Sequence, residues 1–373
     1  MTLLFEENQG ILKIMLDGLA DSILVVNSSA SILFANKAVK DLFELTRDPV
    51  GRDILEVVRN HRIHKLVLET IESKKPVTEE IELTSGQRDT GQVVLSVNAE
   101  PLPGFFGDKY FRVILRDETH RVETEQVRRD FVANASHELR TPLSIINGYI
   151  ENLREGAVED SELAHRFLGI MKKHGDRIAR IVEDMLTISK FESAAHDPTK
   201  AGVFDLQSCA HDVVERLHPL IEEKQANITV TPENSPSLIC GDRFYWDQIF
   251  FNLVENALKQ NVRTGLNVKI SFHDQDTHFR ICISDDGVGI PMADLPFIFK
   301  RFYRVEKHHS KEIKGTGLGL SIVKRAIESH GGTVEASSTP GKETAFVIHV
   351  PKGDVEHAVL METESEEQPF EAR

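Results

Sequence analysis

Apolar positions in the first 115 or so residues come in short alternating runs. ILVVN, a polar SSA turn and SILFAN read as a β-hairpin, and QVVLSVNAEPL and YFRVILRD as further strands, with helical pieces such as DILEVVRNHRIHKLVLETIES between them. From Glu118 to about Glu155 the period becomes helical, with no glycine before Gly148. A second helical run, from about Ser161 to Ser193, sets Ile178, Ile181, Met185 and Ile188 at alternating steps of three and four, the spacing of a bundle seam. The short REGAVED segment joins the two helices into an antiparallel hairpin. A hairpin alone leaves its seam half open, and a second copy closes it as a dimeric four-helix bundle. AAHDPTKAG, with its proline and glycine, is a linker. From Phe204 to about Pro351 helices alternate with the strands NITVTP, LNVKISFHD, HFRICISDD and TAFVIHVP, and the mostly acidic tail after Gly353 reads as disordered. No internal repeat is visible.

Length and charge narrow this picture. A chain of 373 residues exceeds one ordinary domain and suits two or three of ~100 to 150 residues. A net charge of −15 with no basic patch excludes binding to a nucleic-acid backbone. Cys209, Cys240 and Cys282 are widely spaced, with no CxxC, as expected of reduced buried thiols. No apolar run reaches the ~18 to 20 residues of a membrane span, and MTLLFEENQG lacks the flanks of a signal peptide. The expectation is a soluble, cytoplasmic chain, or the soluble part of a membrane-associated sensor.

Three stretches carry candidate chemistry. In DRFYWDQIFFNLVENALKQN, Asp242 is a candidate N-cap and Trp246, Ile249, Phe250, Leu253 and Ala257 form a core-facing stripe. Asn252, Asn256 and Lys259 stand on another face at i, i+4, i+7. Amide oxygens suit a hard cation such as Mg²⁺ and an ammonium suits phosphate, although such a face alone is as often simply solvated. SDDGVGI ends a strand with Gly287 and Gly289 placed for a tight turn and Asp285 placed to accept from an exocyclic amine, a pattern too common to decide anything alone. In KGTGLGLSIVKRAIESHGG, Gly315, Gly317 and Gly319 run into an amphipathic helix whose first N–H groups suit an anionic phosphate chain. The stretch is neither a P-loop nor a dinucleotide fingerprint, and HRD and DFG signatures are missing.

Together and in this order the three resemble the ATP-binding domain, an α/β sandwich of the GHKL or Bergerat type, shared by sensor histidine kinases, gyrase, Hsp90 and MutL. The resemblance implies that Asn252 and Asn256 face Mg²⁺, that Asp285 recognises the adenine amine, and that Gly315, Thr316, Gly317, Leu318 and Gly319 form the phosphate lid. FIFKRFYRVEKHHSKEIK, residues 297–314, looks like the aromatic box and mobile lid between the glycine motifs. Gln260 departs from the aromatic that many relatives place there.

Within that family the kinase branch carries a helical hairpin with a phosphoacceptor histidine upstream, and FVANASHELRTPL, residues 131–143, looks very like its box. Pro142 has no N–H for the carbonyl of Glu138, which predicts a bend near His137. By the resemblance a neutral His137 attacks the γ-phosphate and Glu138 is its base, a pairing of i and i+1 that depends on rotamer and bend. Thr141, four residues on, corresponds to the polar residue that positions water for dephosphorylating a partner regulator. Without the downstream ATP motifs, His137 would read as an ordinary exposed helix residue. The NHRIH pair, with no cysteine or acid cluster to match, reads as surface.

DSILVVNSSASILFANKAVKDLF with the terminal RDET resembles a PAS sensor domain, with Asp117 and Thr119 at the junction to a signalling helix. All three cysteines lie beyond residue 200, so no flavin-attaching cysteine is in this part. The order looks most like the cytoplasmic part of phosphate-regulon-type (PhoR-like) sensor kinases. The expected architecture is an α+β PAS domain at 12–117, a signalling helix and dimerisation/phosphotransfer hairpin at 118–195, an ATP-binding domain at 204–352 and a disordered tail at 353–373. The expected partners are a second copy of the chain and a response-regulator receiver domain. Two other readings predict different products: a GHKL ATPase driving conformational cycling, with no phosphohistidine, and a non-enzymatic PAS scaffold with a dead ATP site.

Overall fold

Short runs in which every second residue is buried build the first sheet. The computed structural model describes residues 2–84, 92–102, 109–192, 202–231, 236–261, 264–305 and 315–352, and the chain divides into two units, Met1–Asp130 and Phe131–Arg373. In the first, α1 (Thr2–Asp17) precedes the predicted hairpin of β1 (Ser22–Asn27) and β2 (Ile32–Ala35). Then come α2 (Lys37–Leu42), α3 (Ile54–Val58), α4 (His61–Ser73), β3 (Val77–Thr84), β4 (Gln92–Pro101) and β5 (Tyr110–Asp117). The strands form one antiparallel sheet in the order β2-β1-β5-β4-β3. Leu24, Val26, Val97, Val113 and Leu115 of the sheet share a core with Ile54, Ile63 and Leu66 of the helices.

The run DILEVVRNHRIHKLVLETIES is two helices. Arg59 adopts a left-handed φ of 52°, which ends α3, and the Asn60 side chain accepts from the N–H groups of Arg62 and Ile63, which starts α4. Asn36, fully buried, ties the unit's beginning together: Oδ1 accepts from Ile23 N (2.9 Å), and Nδ2 donates to the carbonyls of Leu16 (3.0 Å) and Asp21 (2.9 Å). At the other end Thr119 Oγ1 accepts from Val94 N at 3.0 Å, while its own N–H donates to Asp117 Oδ1.

Helix α5 (Thr119–Asn152) runs on without interruption through Pro142, which is buried. A π-helical turn, Leu153–Ala157, with Gly156 at φ 121°, leads to α6 (Ser161–Glu192). After it come β6 (Gly202–Asp205), α7 (Leu206–Arg216), α8 (His218–Lys224), β7 (Asn227–Thr231), β8 (Leu238–Gly241), α9 (Arg243–Gln260), β9 (Asn267–Asp274), β10 (His278–Asp285), α10 (Gly319–Ser329), β11 (Thr333–Thr339) and β12 (Glu343–Pro351). The main sheet runs β11-β12-β10-β9-β7, parallel only between β7 and β9, and β6 pairs β8 separately. The apolar stripes of α9 and α10 pack on this sheet: Trp246, Phe250 and Leu253 meet Ile322 and Ile327 over Ile281, Ile283 and Ile348. The linker after residue 193, most of the predicted lid and the tail from 353 lie outside the described residues.

Among the described residues no helix is long and apolar enough to cross a membrane. The three cysteines are free. Burial, followed by a hydrogen bond to Asp247 (2.9 Å), pushes the Cys209 thiol well above the ordinary range, which keeps it protonated and inert.

Candidate functional site

On α5 the His137 side chain is exposed, and Thr141 Oγ1 donates to the His137 carbonyl at 3.3 Å. Pro142 supplies no N–H to Glu138, yet it does not end the helix; its ring is packed inward while His137 points out. Glu138 is half-buried and engaged: Arg177 Nη2 on α6 donates to its Oε2 at 2.7 Å. His174, one turn earlier on α6, is held below the ordinary histidine range by burial and then by the charges of Arg177 and Lys173. Arg177 is one of several basic residues along that helix, and its sequence neighbourhood does not mark it as the partner of Glu138.

In the C-terminal half of the chain a cavity of 1280 Å³ opens between α9, the strand-end turn and the glycine segment before α10. Asn252, Asn256, Lys259, Gly289, Gly315, Thr316, Gly317 and Gly319 line it, as does Gln260. Asn252 Nδ2 donates to the Gln248 carbonyl at 2.8 Å. Its Oδ1 faces Gly319, where any Cβ would come within 2.6 Å of it. Lys259 donates to Glu255 at 2.6 Å, and Arg180 of α6 reaches the same Glu255 oxygen at 3.5 Å. The ammonium is therefore balanced by a neighbouring carboxylate at the cavity wall.

Two glycines are demanded by backbone geometry. Gly289 has φ 71° and lies so close to the next loop that a Cβ would fall 2.7 Å from Pro340 Cα. Gly317 has φ 75°, with a Cβ position 2.8 Å from Phe302 Cα, and its carbonyl accepts from Phe302 N at 2.8 Å. The start of the lid is thus pinned to the aromatic segment. Phe302 in turn packs at a tilt against Phe131 of α5 (centroids 5.7 Å), with Arg301 over the same ring at 5.3 Å.

Three predicted residues lie behind the cavity rather than on its wall: Asp285, Gly287 and Leu318. Asp285, at the end of β10, is buried and accepts from Gly287 N (3.0 Å) and from Asn261 Nδ2 (3.3 Å). Burial raises its pKa above the ordinary carboxylate value, against the lowering effect of those two donors. Leu318 N donates to Thr316 Oγ1 at 3.2 Å, and Gly287 faces Asn261 so closely that a Cβ would sit 2.0 Å from Oδ1. Asn261 therefore organises this corner: besides Asp285 it bonds Val288 N (2.6 Å) and the Ala257 carbonyl (2.7 Å). An asparagine just past a helix end, in the quoted KQN, was the available signal for it.

Among the described residues no cluster of three or more His, Cys, Asp or Glu side chains is placed to hold a metal unaided. The neutral amide oxygens of Asn252 and Asn256 fit Mg²⁺ in the way that ion prefers, as minor ligands completed by phosphate oxygens and water.

Comparison with known proteins finds two family matches along the chain. Residues 127–194 match the His Kinase A (phospho-acceptor) domain and residues 241–354 the Histidine kinase-, DNA gyrase B-, and HSP90-like ATPase family. The chain is 31% identical over 341 residues to the sensor histidine kinase WalK of Bacillus subtilis (strain 168), covering 89% of this chain and 54% of that protein. It is 36% identical over 245 residues to the sensor protein kinase WalK of Staphylococcus aureus, covering 64% and 57%. The chain thus spans little more than half the length of these curated relatives. Among solved structures, histidine kinase ThkA in complex with response regulator protein TrrA aligns at 22% identity and a TM-score of 0.49, covering 89% of this chain and 95% of that one.

Proposed function

We propose, for a chain that carries a phospho-acceptor domain followed by a nucleotide-binding domain, that it is a sensor histidine kinase: ATP phosphorylates His137 and the phosphoryl group passes to an aspartate of a response-regulator receiver domain. One observation carries this reading. The asparagine face of α9 and the lid glycines, 55 or more positions apart in sequence, line a single cavity in a chain whose hairpin presents an exposed His137.

One nitrogen of the neutral His137 imidazole attacks the γ-phosphorus; the N–P bond forms as the bond to the bridging oxygen breaks, and ADP leaves. The proton on the other ring nitrogen passes to Glu138, which must first turn away from Arg177. In the second step the N–P bond breaks as the regulator's carboxylate oxygen takes the phosphorus. Mg²⁺, when bound, supplies charge neutralisation on the phosphate oxygens, and Asn252 and Asn256 are the residues that would hold it. Lys259, released from Glu255, adds a point charge. Thr141 is the candidate for positioning water when the regulator is dephosphorylated, and Asp285 is the candidate for adenine recognition, with Gly287, Gly289 and Gly315 to Gly319 shaping the pocket around base and phosphates.

A second copy of the chain is the expected partner of the hairpin, since Val132, Leu143, Leu168, Val182 and Leu186 are large apolar side chains left exposed on its two helices. The strand order β2-β1-β5-β4-β3, with short helices against the sheet, supports a PAS sensor over 12–117. The proposed architecture continues with the hairpin at 118–195 and the ATP domain at 204–352. This domain order resembles that of phosphate-regulon-type kinases.

Incubation with γ-labelled ATP tests the reading. The wild type is expected to gain acid-labile, base-stable label, and His137→Gln none, with unchanged far-ultraviolet circular dichroism. A wild type that hydrolyses ATP yet never carries label would favour a conformational ATPase, and one that takes up no nucleotide a scaffold.

A further inference from the structure

The cavity has a wall that the ATP domain does not supply. Arg180, Asp184 and Thr187 of α6 all line it, so the hairpin reaches into the place read above as the nucleotide site. Asp184 is the member that touches the lid. Its Oδ2 accepts from Thr316 Oγ1 at 2.8 Å, and the same hydroxyl accepts from Leu318 N just before α10 begins. A carboxylate bonded to this hydroxyl at the start of a helix occupies the electrostatic position in which a phosphate oxygen would be favoured.

We infer that Asp184 is a specificity-determining residue of the nucleotide site: it is an internal anion, delivered by the hairpin, that competes with the phosphate chain for the lid and disfavours the triphosphate more than the diphosphate.

The surroundings agree. The charged groups facing Asp184 are Arg180 and Glu183 on its own helix and Glu255 on α9, whose charge is shared between Arg180 and Lys259. Glu183 and Glu255 line the same cavity, and Glu255 engages both Arg180 and Lys259, so these two cations are partly neutralised while α6 is docked. Burial holds Asp184 at about 6, well above its ordinary 3.8, so the docked carboxylate is under strain that departure relieves. Linkage makes the competition reciprocal: whatever factor docking takes from nucleotide affinity, the bound nucleotide takes from docking. Filling the site thus loosens the lid from α6, which is needed before the lid and its nucleotide can be carried to His137.

The inference rests on the cavity being the nucleotide site, and the experiment separates the two. Mg-ATP and Mg-ADP are titrated calorimetrically into the full chain and into Asp184→Asn, which keeps the shape and an acceptor for Thr316 but not the charge; thermal melting of both checks the fold. The expected result is Mg-ATP affinity higher by about five-fold or more in the variant, the lower edge of typical coupling between sites, with a smaller gain for Mg-ADP. No gain, or an equal gain for both nucleotides as a packing change alone would give, overturns the role of Asp184 while leaving the nucleotide site standing. A wild type that takes up neither nucleotide overturns both.

Discussion

Two buried asparagines, one in each unit, show how differently the two sheets use polar groups. Asn36 spends its side chain on three backbone partners, Ile23 N and the carbonyls of Leu16 and Asp21. Asn261 also bonds backbone, at Val288 N and Ala257 O, but its amide nitrogen additionally reaches the carboxyl of Asp285, whose pKa burial has raised. The first arrangement is saturated and neutral, which is what a frame requires. The second keeps an ionisable group where solvation would be better elsewhere, and proteins retain such a group mainly where chemistry or recognition uses it.

If that contrast is right, the two asparagines should fail in different ways. Asn36→Ala orphans an N–H and two carbonyls in the core and is expected to cost about 3 kcal/mol, read as a lower urea midpoint, with Mg-ATP affinity unchanged. Asn261→Ala should cost less in stability, about 1 to 2 kcal/mol, and should weaken Mg-ATP binding roughly ten-fold if most of that loss falls on the turn that shapes the pocket. Equal effects of the two on nucleotide affinity would erase the distinction. A further effect concerns pH. The docked Asp184 keeps its proton up to about pH 6, whereas a hydrated aspartate releases it near 3.8. The docked form therefore holds the extra proton between those values: docking is favoured below them, weakens as pH rises through the interval by at most about ten-fold per unit, and is constant above it. A spin-label distance between α6 and α10, measured at pH 5 and pH 8, reads this directly, and a distance distribution that ignores pH would remove Asp184 from the contact.

Strands with an apolar face were legible because alternation is their signature: β1, β2, β4, β5, β7, β9, β10 and β12 follow the quoted runs. The strands without such a signal are edges or small pairs. VTEEIELT of β3 and TVEASST of β11 are mostly polar because each has one neighbour in its sheet, and β6 and β8 are four residues each. Gly289, Gly317 and Gly319 were legible because a side chain would strain or crowd each of them, and Asn252 and Asn256 because stacked asparagines are unusual on a helix face. Arg177 with Glu138 and Asp184 with Thr316 were not, since their partners lie 39 and 132 positions away and charges along α6 give no sign of which one is met. Pro142 was read for its missing N–H, and the surrounding helix absorbs that loss and continues to Asn152.

The rim of the larger sheet has a consequence of its own. β11 is an edge strand with a single neighbour, β12, and an open strand invites other chains to add on. β11 presents Glu335, Ser337 and Thr339 outward along that border, a row that offers a stray strand backbone to pair with but nothing greasy to settle against and one charge to repel it. That border is thereby guarded against strand-by-strand addition of further copies.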